Sequence, residues 1–239
     1  MNAIVRQDFS EFLNFVSTLS MDIITNDAAA IAEIRRAHSQ LLALLTATGE
    51  LASHQGSVIQ QFSEHYSDIG KRYLDEVVSD SSEFIVCVLL GLCRSSGGTL
   101  RSAIESYLKV FSAKEQPLIL QRTSVPDVFK DAAGVTFFSS DIGKIVIGEL
   151  KGTYSELNAY VHTTSDAHMF GAMAVGSFPR WSEKNARLID IFVRVVRLFL
   201  YGIVGTRRDL YDRFDHRNKV IINRAMTRTQ RRSAMGVDE

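Results

Sequence analysis

The sequence predicts an all-α fold, a helical bundle large enough to hold a substantial core. Only three prolines, Pro117, Pro126 and Pro179, interrupt the 239 residues. Between them, apolar residues recur at the three- and four-residue spacing of a helix. Hydrophobic residues make up 46% of the chain, which excludes a mostly disordered protein and supplies material for a core.

The first 80 residues predict an N-terminal helical region that begins with a helical hairpin. Apolar residues recur at helical spacing over residues 8–21 and again over residues 27–49. A third, more polar helix is predicted over residues 56–78. Residues 79–82, Ser-Asp-Ser-Ser, have the chemistry of an N-cap. They predict that a separate, strongly apolar helix begins at Glu83.

Residues 81–206 predict a helical bundle. Gly97 and Gly98 interrupt an apolar helical pattern, and each glycine costs about 1 kcal/mol in a helix relative to alanine. The pair therefore indicates either a break or a place where another backbone approaches closely. Ser182 is the expected cap of a helix over residues 183–204 that is apolar nearly all round. Such a helix belongs in the middle of a bundle, with its one polar stripe facing solvent or a polar cavity.

The last segment, residues 207–239, predicts a basic C-terminal helix and tail. The chain has no formal net charge, yet residues 207–232 hold nine basic and three acidic side chains, an excess of six. The basic residues are Arg207, Arg208, Arg213, Arg217, Lys219, Arg224, Arg228, Arg231 and Arg232. Two interpretations stand: a surface that binds phosphates or an acidic partner, and a solvated helix face.

Three hydrogen-bonding side chains are predicted on one helix face near residue 158. Thr153, followed three residues later by Glu156, has the pattern of a capping box and predicts a helix start. Tyr154, Asn158 and His162 then follow at intervals of four residues, within an arc of roughly 80°. The cluster is either a functional site or a buried polar network that satisfies itself. We expect this face to point at the helix that contains Gly97 and Arg101.

Several classes of site lack their signatures. The sequence contains no phosphate-binding glycine loop, no His-Glu-x-x-His, no Cys/His zinc spacing and no Gly-x-Ser-x-Gly. We therefore expect no metal and no cofactor. Cys87 and Cys93 lie in an apolar run, which is typical of inert core thiols in a reducing compartment. With no signal-peptide pattern and no convincing membrane span, the expected location is the cytoplasm.

Two segments together give a family resemblance. The stretch Leu100-Arg101-Ser102-Ala103-Ile104-Glu105 and the later stretch that runs from Tyr154 to His162 resemble the HEPN superfamily of small helical bundles. The matching region spans residues 82–204. The resemblance implies a place in a prokaryotic toxin or anti-phage defence system, where many family members are metal-independent ribonucleases that act as dimers. It also implies that this chain forms a homodimer.

One departure from the family pattern bears on catalysis. Active members carry an arginine, often followed by a polar residue, about four to six positions before the histidine. Asn158 matches the polar residue and His162 the histidine, but Leu157 occupies the place of the arginine. An arginine would stabilise charge on the scissile phosphate. Here Arg101 or Arg94 would have to supply that charge from another helix.

Three functions follow as expectations. The first is a non-catalytic HEPN-like subunit of a defence or nucleoprotein assembly, which binds nucleic acid, RNA in preference to DNA, or a partner protein. The second is a ribonuclease or toxin with His162 as general acid and base, Asn158 and Tyr154 positioning the phosphate, and Arg101 stabilising charge. The third is a helical protein–protein adaptor. The missing motif arginine favours the first.

Overall fold

The computed structural model describes residues 3–18, 27–53, 67–162 and 181–236, and every regular element in them is helical. The all-α prediction is therefore confirmed for this part of the chain. The α-helices are α1 (Ala3–Thr18), α2 (Ala28–Ser53), α3 (Ser67–Leu89), α4 (Cys93–Ser112), α5 (Val125–Ala133), α6 (Thr136–Ser139), α7 (Asp141–Val161), α8 (Glu183–Thr206), α9 (Arg208–Tyr211), α10 (His216–Ala225) and α11 (Arg228–Met235). A 3₁₀ turn at Pro117–Gln121 lies between α4 and α5.

Helix α8 lies in the middle of the bundle, as its apolar pattern predicts. It packs against α2, α3, α4, α7, α9 and α11. Phe199 stacks on Tyr107 of α4 with ring centroids 4.1 Å apart, and Phe192 stacks on Phe84 of α3 at 4.8 Å. Ser182 caps the helix in a capping box with Asn185. These contacts make α8 the centre of the hydrophobic core.

The polar stripe of α8 divides into two halves. Arg187 and Arg194 are exposed, and both reach Glu156 of α7, at 3.5 Å and 2.5 Å respectively. The C-terminal half is covered instead. Arg197 donates to the Ala225 carbonyl at 3.1 Å, and the Tyr201 hydroxyl lies 2.8 Å from that of Ser233. Solvent therefore meets only the first half of the stripe.

The N-terminal part consists of α1 and α2 in contact, as the predicted hairpin requires. The rings of Phe9 and Phe12 pack on His38 of α2 at 5.4 Å and 4.9 Å. His38 Nε2 lies 2.8 Å from a carboxylate oxygen of Asp8. Burial lowers the pKa of His38, and Asp8 opposes that shift.

The predicted helix start at Glu83 is wrong, because α3 runs without interruption from Ser67 to Leu89. The hydroxyls of Ser81 and Ser82 do not cap a helix. They donate to the carbonyls of Val77 and Val78, four residues earlier, at 2.6 Å and 2.9 Å. Residue 80, where the first domain boundary was predicted, lies inside this helix, and the division into regions stays a prediction. The part of the predicted third helix over residues 56–66 lies outside the described residues.

The chain turns between α3 and α4 at Gly91, whose φ of 72° suits glycine. The Gly97–Gly98 pair lies inside α4 and does not break it. A Cβ on Gly97 would lie 3.1 Å from Tyr160 Cβ and 3.6 Å from the Leu157 carbonyl oxygen. Gly97 therefore allows α4 and α7 to approach closely, which is one of the two outcomes that the glycines predicted.

The prediction of one long basic C-terminal helix is wrong, because three short helices form instead. The Asp215 carboxylate accepts from the Arg217 N–H at 2.8 Å and begins α10. Thr227 begins α11 in a capping box with Gln230. Glu50 of α2 accepts from the Asp215 N–H at 3.0 Å and holds the segment on the bundle.

No helix within the described residues has both the length and the apolar character that crossing a bilayer requires.

Candidate functional site

Helix α7 carries the predicted site residues, but it begins earlier than the sequence indicated. The Ser140 hydroxyl accepts from the Gly143 N–H at 3.0 Å, and the helix runs from Asp141 to Val161. Thr153 is buried in the helix interior. The predicted capping box at Thr153 and Glu156 is therefore wrong, because the helix already begins at the Ser140 cap, thirteen residues before Thr153.

Tyr154 joins two residues of α4 through its hydroxyl. Arg101 donates from Nη2 to the Tyr154 hydroxyl at 2.7 Å, and that hydroxyl donates to the Glu105 carboxylate at 2.7 Å. The guanidinium carbon of Arg101 also lies 4.6 Å from the centroid of the Tyr154 ring. Arg101 and Glu105, four residues apart on α4, thus meet through a tyrosine of another helix.

Burial raises the pKa of Tyr154 to about 12, and its hydrogen bond to Glu105 adds to the effect while Arg101 opposes it. The phenol is therefore neutral at physiological pH. It holds its proton toward Glu105 and accepts from Arg101. In this arrangement Tyr154 positions the guanidinium, and neither group is a proton acceptor for chemistry at neutral pH.

A cavity of about 670 Å³ lies between α5 and α7 beside this cluster. Arg101, Tyr154, Asn158 and His162 all line it, together with apolar residues of α5 and Ile147 of α7. The four side chains predicted for one site thus border one space. Their predicted catalytic roles stay predictions.

His162 lies at the end of the site and not on a helical turn. It follows the last residue of α7, with an extended backbone (φ −100°, ψ 125°), and its side chain is exposed. Among the described residues it has no side-chain hydrogen bond or ion pair. Arg101 therefore reaches Tyr154 and does not hold His162. The other candidate cation, Arg94, is exposed and does not line the cavity.

The burial of Leu157 gives a structural reason why this position does not carry the arginine of the family pattern. Its side chain is fully buried in the core, at 0% exposure, and it does not line the cavity. An arginine at this position would place an unpaired charge among apolar side chains. Position 157, where the family pattern has its arginine, therefore faces the core and not the cavity that His162 lines.

Several lining residues escaped the sequence analysis. Phe129 and Lys130 come from α5, whose place opposite α7 is a long-range contact that no local pattern shows. Lys151 also lines the cavity, and its position three residues before Tyr154 was a usable signal, since such residues share a helix face.

The basic segment contains both structural and unpaired cations. Arg207 and Arg208 pair with Asp209 and Asp212 at 3.0 Å and 2.8 Å. Lys219 donates to the Asp212 carbonyl, and Arg231 donates to the Asn223 carbonyl at 2.8 Å. Arg232 also has an interaction partner. The pairs of Arg207 and Arg208 are local to α9, whereas Lys219 and Arg231 connect neighbouring short helices.

Four arginines of the segment are exposed and have no partner among the described residues: Arg213, Arg217, Arg224 and Arg228. Arg217 and Arg224 are seven residues apart, so they lie on the same side of α10, about 10 Å apart along its axis. We call these four side chains the arginine surface. Its guanidinium groups are available to an anionic ligand.

No group of three or more His, Cys, Asp and Glu side chains suited to a metal ion occurs within the described residues. Comparisons with known protein families, with curated proteins and with solved structures find no match to this chain, and the HEPN-like resemblance stays a prediction.

Proposed function

We propose that this chain is a non-catalytic nucleic-acid-binding subunit of a prokaryotic defence or nucleoprotein assembly, with RNA as its ligand. The observation that carries the proposal is the arginine surface, four exposed guanidinium groups without acidic partners among the described residues. Phosphate contacts of this kind give affinity without base sequence preference. The defence setting comes from the HEPN-like resemblance alone.

The side chains in and beside the cavity are the reason for proposing a non-catalytic protein. Arg101 donates to Tyr154. The motif position Leu157 faces the core, and the exposed side chain of His162 has no partner among the described residues to orient it. General acid–base catalysis needs a base held against the proton that it moves, and an arginine placed where charge develops. Neither requirement is met by the side chains described.

Charge reversal tests the proposal. The variant R213E/R217E/R224E/R228E is expected to bind single-stranded RNA roughly 100-fold more weakly at low salt, because four phosphate contacts are lost. The slope of log affinity against log salt should fall by about three, at roughly 0.7 per contact for a single strand. Fluorescence anisotropy of a labelled RNA over a salt series measures both quantities.

A matched control separates this effect from net charge. Lys71, Arg72, Arg94 and Lys144 are also exposed and have no partner among the described residues. Reversing these four to Glu changes the net charge equally and should leave most of the affinity and slope intact. Equal loss in both variants, or none in the first, would show that the arginine surface is a solvated face. An acidic protein ligand would then remain to be tested.

The second candidate function is a metal-independent ribonuclease in the same cavity. It is favoured by one observation, that Arg101, Tyr154, Asn158 and His162 border one space. If purified protein cleaves RNA in the presence of a chelator, His162→Ala is expected to slow cleavage by about 10²–10⁴-fold. His216→Ala is the control, since His216 is an exposed histidine on α10 away from the cavity. If cleavage survives the His162→Ala substitution, other residues or a contaminant are responsible for it.

A further inference from the structure

The cavity between α5 and α7 has an apolar side and a cationic side. Val125, Pro126 and Phe129 of α5 and Ile147 of α7 form its apolar lining. The Phe129 ring meets Tyr154 edge to face, with centroids 5.8 Å apart. A space of about 670 Å³ with such walls is of the size that holds small organic ligands.

The charged side chains that line the cavity among the described residues are all basic. Lys130, Lys151 and Arg101 contribute, while no Asp or Glu lines the cavity among the described residues. Lys130 and Lys151 are exposed and have no partner in the described part of the chain, so they lie where the cavity opens to solvent. An anionic group would be attracted to this opening.

Two buried polar atoms beside the cavity lack hydrogen-bond partners among the described residues. One is Arg101 Nε, a donor, and the other is Asn158 Oδ1, an acceptor. Both residues line the cavity, while these two atoms lie beneath its surface, so the wall on this side is polar.

We propose that this cavity binds a small amphipathic anion, with a planar aromatic body against Phe129 and Ile147 and an anionic head toward Arg101 and the two lysines. The proposal is independent of the arginine surface, which belongs to other helices. Carboxylate and phosphate heads share the required chemistry, and probes that differ only in the head distinguish them.

Indole-3-acetate and 3-indoxyl phosphate are the anionic probes, each with an indole body and an N–H donor. Indole and tryptamine share the indole body, but indole is neutral and tryptamine is cationic. Isothermal titration calorimetry with the full chain is expected to show binding of at least one anionic probe. Its affinity should exceed those of indole and tryptamine by about tenfold or more. Failure of both anionic probes to bind at millimolar concentration, or equal binding of tryptamine, overturns the proposal.

Two glycines of α7 provide a matched pair of variants. Gly148 lines the cavity and Gly152 does not, while a Cβ at either position meets nothing within 4 Å. Gly148→Leu fills the cavity and should weaken binding of the tighter anionic probe by about tenfold or more, whereas Gly152→Leu should leave it unchanged. Both variants should fold, since leucine is the better helix former. Equal affinity in the two folded variants places the probe elsewhere and overturns the proposal.

The charge requirement is tested separately. Lys130→Gln/Lys151→Gln removes both cations at the opening and keeps the apolar walls. We expect weaker binding of the anionic probe and little change for neutral indole. Unchanged binding of the anion would contradict the assignment of its head to this side of the cavity. RNA affinity should be the same in all these variants, so a failure here and a failure of the arginine surface are distinguishable.

Discussion

Gly143→Ala is expected to destabilise the protein by about 3 kcal/mol or more, at the upper end of what overpacking in a core costs. Gly143 is the third residue of α7, and its N–H donates to the Ser140 cap. A Cβ there would overlap the Phe137 carbonyl oxygen and lie 2.6 Å from Phe138 Cα. Those atoms are backbone, so the clash moves α6 and cannot be relieved by a rotamer change.

Gly148→Ala is the matched control, because it lies in the same helix with open space around it. There the substitution should stabilise by about 1 kcal/mol, the difference in helix propensity between the two residues. Urea denaturation followed by circular dichroism gives both values from the transition midpoints. If Gly143→Ala unfolds at the same urea concentration as the parent protein, the close approach of α6 to α7 described above is wrong.

The features that the sequence predicted well are those set by side-chain periodicity and by backbone contact. The pattern of α8, apolar except for one polar stripe, predicted its central place because no other position in a bundle covers so much of a helix's circumference. The glycine pair predicted a close approach, and Gly97 shows why: its missing Cβ leaves room for Tyr160. Spacing also brought Tyr154 and Asn158 to one face.

Helix boundaries were the features that the sequence predicted poorly, for a common reason. Serine and threonine bond the backbone equally well at a cap and within a helix, as Ser81 and Thr48 do to carbonyls four residues earlier. Cap chemistry alone therefore marked false starts at residues 79–82 and at Thr153. In the C-terminal segment the error was reversed, because apolar periodicity continued across the real caps Asp215 and Thr227.

The candidate site was predictable only as far as one helix extends. Arg101 and Tyr154 were both identified, but Lys130 and the apolar wall that α5 contributes depend on the packing of α5 against α4 and α7. The burial of Leu157 is likewise a tertiary fact. It fixes the orientation of α7 and so determines which of its side chains can face the cavity.

Asp80→Asn is expected to stabilise the protein at neutral pH. Asp80 is buried in α3, and one of its carboxylate oxygens has no hydrogen-bond partner among the described residues. Burial raises the pKa of Asp80 to about 6, with Glu76, Glu83 and Glu105 adding to the effect and a hydrogen bond from Ser102 opposing it. At pH 7 the folded protein therefore contains an unfavourable buried charge.

The free energy of unfolding is expected to fall as the pH rises through the pKa of Asp80. Because the folded pKa lies above the unfolded value of about 4, the folded state binds the proton more tightly. The stabilisation from protonated Asp80 is complete below about pH 4 and is lost as the pH rises through 6. Over about two pH units the loss is at most about 3 kcal/mol, reduced by whatever solvent reaches the carboxylate.

Measuring the difference in unfolding free energy between Asp80→Asn and the parent isolates this group, because other titrating residues cancel. The difference should be small near pH 4 and should grow by about 2 kcal/mol by pH 7 in favour of the variant. Asp75→Asn is the control, since Asp75 is exposed on the same helix, and its difference should stay flat. A flat difference for Asp80→Asn would mean that water reaches its carboxylate and that the α3–α4 interface is looser than described, because only a desolvated carboxylate holds its proton to pH 6.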